Sequence, residues 1–243
     1  MGAREDILHR IRSIVGDGPG TECARSELQE IFRGIPIRRI EEVIPTFCRH
    51  VNEAGGETSI VHSWAEAAHR VRDIHPSGPV FVAAHPEFRE AGFSSLIQSA
   101  SGRGEVLEVP EEGMELQVRD VFGSVFARNA AGVGRALYGF ADSGAVLLVS
   151  SPFECRSLSL LVATHIAVLH ESAIFPTFAD AVESIEEYVR TSSPGALTLV
   201  AGPSKTADIE KVLVTGVHGP SRFAVVIFQN PPLASSTVGG GTR

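Results

Sequence analysis

A three-layer α/β/α sandwich with a mostly parallel sheet, preceded by an N-terminal helical segment, is the fold that the 243-residue sequence predicts. Three observations point to it. Up to residue 54 apolar residues recur at three- and four-residue steps, the period of helices with one buried stripe. After Gly55-Gly56 short apolar runs alternate with amphipathic stretches. Several of those runs, such as AVLLVS at 145–150, are apolar at every position rather than every second one, as in strands covered by helices on both faces.

Taken in order, Ile7, Leu8, Ile11, Ile14 and Val15 place one stripe on a helix over 4–15, which GDGPG at 16–20 ends. Further helices are expected over 24–32 and 39–54, the second with Val43, Ile44, Phe47 and Val51 on one face. There follow a strand at 58–61, a helix at 64–74, and strands at 80–84 and 106–109. Strands at 145–150 and 162–169, a helix at 178–191 and a strand at 197–200 come next. A helix over 207–213 and a strand over 223–228 complete the order, and the tail PPLASSTVGGGTR has the composition of a flexible end. The organisation expected is a helical segment over 1–54, an α/β domain over 55–230 and a tail over 231–243.

Composition narrows the function classes. With 43% hydrophobic residues the chain can bury a core, and 29 acidic against 21 basic residues make nucleic acid a poor partner. The cysteines, Cys23, Cys48 and Cys155, are widely spaced and form no CxxC pair. That argues against a disulfide framework or a zinc site and for free thiols in a reducing compartment. The N-terminus is too charged for a secretory signal, and no apolar run reaches the roughly 18 residues of a membrane span. A soluble cytoplasmic protein with no membrane span is the expectation.

Ligands of open α/β sheets sit beyond the carboxyl ends of strands, and three loops assigned to that position hold the suggestive residues. In the first, Gly202, Ser204, Lys205 and Thr206 lead into the helix expected at 207, with Asp208 in its first turn. Exposed N–H groups beside Ser204 and Lys205 suit an anion, yet the same residues suit a capped helix start, and the Walker pattern GxxxxGK is absent. In the second, Asp142-Ser143-Gly144 is a tight turn, with Asp142 either an Asx-turn residue or a ligand-facing carboxylate. Arg156, beyond the next strand, is either an anion clamp or a partner in a surface ion pair. In the third, His218-Gly219-Pro220 forms a turn. His85-Pro86 is a weaker candidate, and His165, inside an apolar strand, reads as a core imidazole. No metal-ligand spacing, GxGxxG fingerprint or GxSxG elbow appears.

Three stretches carry a family likeness: GVGRALYGFADSGAVLLVS at 132–150, Arg156 with SLLVATHIAVL, and above all AGPSKTADIEKVLVTGVHGP at 201–220. With these the sequence resembles the lactate-utilisation protein C family of LUD-domain proteins. The resemblance implies a fold similar to that of sugar-phosphate isomerases and CoA transferases. It also implies a role beside two iron–sulfur partner proteins in oxidising L-lactate to pyruvate. With no cysteine cluster, this chain looks like the component that carries no iron–sulfur cluster. Where the family usually has Glu-Thr-Gly, this chain has Asp142-Ser143-Gly144, a carboxylate one methylene shorter. The catalytic candidates are Asp142, Arg156 and His218. The ligand-binding candidates are Ser143, Gly144 and Arg156 with Gly202, Ser204, Lys205, Thr206, Asp208, His218 and Gly219, and no metal is expected. The alternative is a stand-alone enzyme or binding protein for a small phosphorylated or carboxylated metabolite.

Overall fold

The computed structural model describes residues 42–109, 129–192, 194–207, 213–215 and 219–229. The chain divides into two compact units, residues 1–39 and 40–243, and the description concerns the second. The helices expected at 4–15 and 24–32 and the tail after 230 lie outside the described residues.

Helix α1, Val43–Glu53, buries Phe47 and Val51. Strand β1, Glu57–Val61, leads to α2, Trp64–Ile74. Ser63 caps α2 by accepting the Glu66 N–H (3.2 Å), and the Glu66 carboxylate returns to the His62 N–H (2.8 Å), a close relative of the capping box. Then come β2 (Val80–Val82), α3 (Pro86–Glu90), α4 (Phe93–Ser99), β3 (Val106–Glu108), β4 (Ala131–Phe140) and β5 (Ala145–Ser150). After these follow α5 (Ser157–Leu160), β6 (Thr164–His170), β7 (Ile174–Phe175), α6 (Val182–Ser192) and β8 (Ala196–Val200). The last are β9 (Lys205–Ala207), β10 (Leu213–Thr215) and β11 (Arg222–Phe228).

The main sheet runs β1-β11-β6-β4-β2-β3, each neighbouring pair parallel. Strand β4 is long enough to serve two partners in turn. Its first half, to Arg135, pairs with β6; from Ala136 it pairs antiparallel with β5, which pairs antiparallel with β8. A register shift between Ala136 and Tyr138 marks a bulge where the sheet changes partner.

Both faces are covered. Along β11, Ala224, Val226 and Phe228 join one core with Val71, Phe88, Phe93, Ile97 and Leu158 of the helices. Phe223, Val225 and Ile227 join the other, with Phe47 and Val51 of α1. That two-sided burial is why the strand reads as an unbroken apolar run. The architecture is the α/β/α sandwich with a mostly parallel sheet that the sequence predicts.

The short helices α3, α4 and α5 and strand β7 are absent from the sequence reading, and two further differences bear on the candidate loops. Strand β4 is absent from the sequence reading, because Gly132, Gly134, Gly139 and Arg135 interrupt its apolar run. The helix expected over 207–213 is also not formed at its described ends. Ala207 and Leu213 face each other in the antiparallel β9–β10 ribbon, where β-branched Thr206, Val214 and Thr215 favour extended backbone.

Candidate functional site

Strands β2, β4 and β6 bring a charged group together at the carboxyl edge of the sheet. Beyond β2, His85 precedes Pro86 at the start of α3, and its Nδ1 accepts the Glu87 N–H (3.3 Å). A neutral ring in that bond carries its proton on Nε2. Burial first, then the Arg135 charge, pushes His85 down to about 4, so the imidazole is neutral at physiological pH.

Glu87 ties the three strands. Its Oε2 accepts from Arg135 Nε (2.9 Å), and its Oε1 pairs with His170 Nε2 at the end of β6. Burial alone would raise the Glu87 carboxyl; His170 and Arg135 more than offset it and hold the group below the usual carboxylate range. Arg135 therefore spends Nε on Glu87, while its two Nη groups have no hydrogen-bond partner among the described residues.

Glu154 reaches the same place from the turn after β5. That turn is closed by paired Ser151 and Glu154 backbone bonds (3.1 Å each) and pinned to the end of β2 by the Ala84 N–H on the Phe153 carbonyl (2.9 Å). The carboxyl lies over Gly134, where a Cβ would come within 2.2 Å of Oε1. Oε2 accepts the Arg135 backbone N–H (2.9 Å). Only 6% exposed, the Glu154 carboxyl is pushed up to about 8 by burial, which the Arg135 N–H and charge only partly oppose. It is a protonated acid at neutral pH. His85, Arg135 and Glu154 line a cleft of about 260 Å³ together with Leu137, Val149 and Tyr188. Leu137 sits at the β4 bulge.

Of the residues singled out in the sequence, His85 lines this cleft, and the other described ones lie elsewhere. Asp142 and Ser143 are exposed at the β4–β5 turn, which packs on α1: Ala141 O and His50 Nδ1 are 2.6 Å apart, and Gly144 fits against the Val51 N–H. Gly202, at φ +85°, fits under Ala54 just after α1, where a Cβ would come within 2.9 Å of the Ala54 carbonyl oxygen. Lys205 Nζ donates to that same carbonyl (2.6 Å). The Ser204 N–H donates to Pro220 O (2.8 Å), and Gly219 packs on the Ser204 side chain. The loop thus leaves the carboxyl end of β8 and rests beside the amino ends of β1 and β11. Both turns lean on the end of α1. Thr206 pairs with Val214 in the ribbon, Arg156 is exposed at the start of α5, and Asp208 and His218 lie outside the described residues. His165 is buried, stacked on Phe223 and pushed down to about 4 by burial, as a neutral core imidazole would be.

Glu87, Arg135, Glu154 and His170 escaped the sequence reading. A signal was present: an arginine inside an otherwise apolar strand requires an acid nearby, and FEC places one in an apolar loop. Among the described residues no group of three or more His, Cys, Asp or Glu is arranged to hold a metal ion. Cys48 and Cys155 are free thiols, and burial raises that of Cys155.

Fold and cleft together define an α/β sandwich with a charged pocket at the carboxyl edge of its sheet. The chain belongs to the LUD-domain family, whose profile matches residues 44–228. It is 28% identical over 237 residues to Lactate utilization protein C of Bacillus subtilis strain 168, covering 92% of this chain and 95% of that protein. It is 30% identical over 196 residues to Escherichia coli K12 YkgG, covering 80% and 78%. The crystal structure of a DUF162 family protein from Deinococcus radiodurans superposes with a TM-score of 0.52 at 19% identity, covering 77% of this chain and 97% of that one, a likeness of fold. Among the described residues no helix is long and apolar enough to cross a membrane.

Proposed function

We propose that this chain is a cytoplasmic accessory component of an L-lactate oxidation system, acting with iron–sulfur partner proteins. The observation that carries the reading is similarity to proteins named for lactate utilisation across most of both chains. Chemistry supports the division of labour. Oxidising L-lactate to pyruvate removes two electrons and two protons. The side chains described here can bind anions and exchange protons, whereas the electrons require a redox carrier, which the reading places on the partners.

The test is genetic. In an organism with no other lactate oxidase, deleting the gene is expected to abolish growth on L-lactate, to leave growth on pyruvate intact, and to be reversed by restoring the gene. Normal growth of the deletion strain on L-lactate would defeat the reading. The cleft favours a second reading, a stand-alone enzyme or binding protein for a small phosphorylated or carboxylated metabolite, and normal growth would leave that reading standing.

A further inference from the structure

We propose that the cleft beside Arg135 is a binding site for a small monocarboxylate bearing a polar substituent next to its carboxylate. In this site Arg135 anchors the carboxylate through its Nη groups, and Glu154 and His85 donate hydrogen bonds to the substituent. The site stands on the cleft's geometry and goes beyond the lactate reading, which can hold or fail without it.

Four features select this ligand class. The first is size: about 260 Å³ suits a metabolite of a few carbons. The second is charge. Arg135 is the one Lys or Arg side chain among the cleft's described lining residues, and Glu87 already offsets part of its charge. A phosphate dianion needs several cations or N–H donors, while one guanidinium edge matches one carboxylate bidentately. The third is the donor set: a neutral imidazole with its proton on Nε2 and a protonated carboxyl in the same cleft suit a hydroxyl or keto oxygen. The fourth is the wall of Leu137, Val149 and Phe153, which offers a short alkyl group an apolar surface.

Arg135 is preset for this role. The Glu87 carboxylate holds Nε and His170 holds Glu87 from the far side, so the guanidinium loses little freedom on binding. The groups facing Glu154 are the Arg135 backbone and charge from β4 and Cys155 on its own turn, and His85 lines the same cleft.

Calorimetric titration of the full chain with L-lactate, pyruvate, propionate and inorganic phosphate tests the site. The expected result at pH 7 is binding of L-lactate and pyruvate, weaker binding of propionate, and none of phosphate. Arg135→Gln should weaken L-lactate and pyruvate at least tenfold. Val149→Phe, which fills the cleft and leaves Arg135 in place, should do the same; circular dichroism shows whether each variant is folded. Because an ionised Glu154 repels the ligand, affinity should fall about tenfold between pH 7 and pH 9 in the native chain and stay level in Glu154→Gln. Should Arg135→Gln fail to fold, Val149→Phe and the pH profile decide. Absence of monocarboxylate binding to the native chain overturns the site, as does phosphate binding equal to L-lactate. Binding unchanged in a folded Val149→Phe overturns it too. Growth on L-lactate that depends on the gene, with no binding in the cleft, overturns the site and leaves the accessory role; binding with normal growth of the deletion strain does the reverse.

Discussion

Gly134 and Glu154 show how much one missing side chain allows. The Glu154 carboxyl occupies the space a Cβ at 134 would take, and the Arg135 N–H holds it there. At 6% exposure the acid has little room to retreat. Gly134→Ala is therefore expected to destabilise the native chain by about 1–3 kcal/mol, the range for overpacking a closed site. In a Glu154→Ala background the obstacle is gone and most of that cost should vanish. Urea unfolding of the four proteins measures the coupling. An equal cost in both backgrounds would show that the glycine serves something other than the carboxyl.

At the level of elements, the 201–207 loop and α1 depend on each other. Lys205 places a cation on the Ala54 carbonyl at the end of α1, where an unpaired carbonyl and the negative end of the helix dipole both favour it. Lys205→Met keeps the stem and loses the ammonium, and should lower stability by about 0.5–1 kcal/mol in thermal unfolding. If the loop instead holds an anion, phosphate or sulfate should raise the melting temperature of the native chain and not of the variant. The same loop shows where sequence reasoning stopped. Its Gly, Pro, Ser and Lys announced a turn, but a turn does not state which end of the sheet it will reach. Pairing of Lys205–Ala207 with Leu213–Thr215 is a contact between segments, and no local period encodes it. The helix over 64–74 was legible because capping and an apolar stripe are local signals. Strand β4 was not, because its glycines serve close approaches by Leu158, Glu154 and Phe47, which only the folded chain brings near.

For the molecule as a whole, the apolar runs revealed the sandwich, whereas the charged cleft needed three strands and a turn to converge. The groups that convergence buries also set the pH response of the fold. In an unfolded chain imidazoles take up protons near pH 6.5, whereas His85 and His165 in the fold resist protonation until about 4. The unfolded state binds more protons in that interval, so stability falls as pH drops from 6.5 to 4. His75 is shifted in the same direction, chiefly by burial, and adds to the effect. Glu154 acts oppositely. An unfolded glutamate loses its proton near 4.5, while the folded one keeps it to about 8, so stability falls as pH rises from 4.5 to 8. Between 4.5 and 6.5 the imidazoles outweigh the single carboxyl, and above 6.5 the carboxyl acts alone among these groups. The melting temperature should peak near pH 6.5 and decline towards pH 8. Glu154→Gln should remove the alkaline decline and leave the acid limb intact, because the imidazoles are untouched. Scanning calorimetry from pH 4 to 9 on both proteins checks this. A native profile flat above 6.5, or the same decline in both proteins, would show that Glu154 is ionised in the fold at neutral pH.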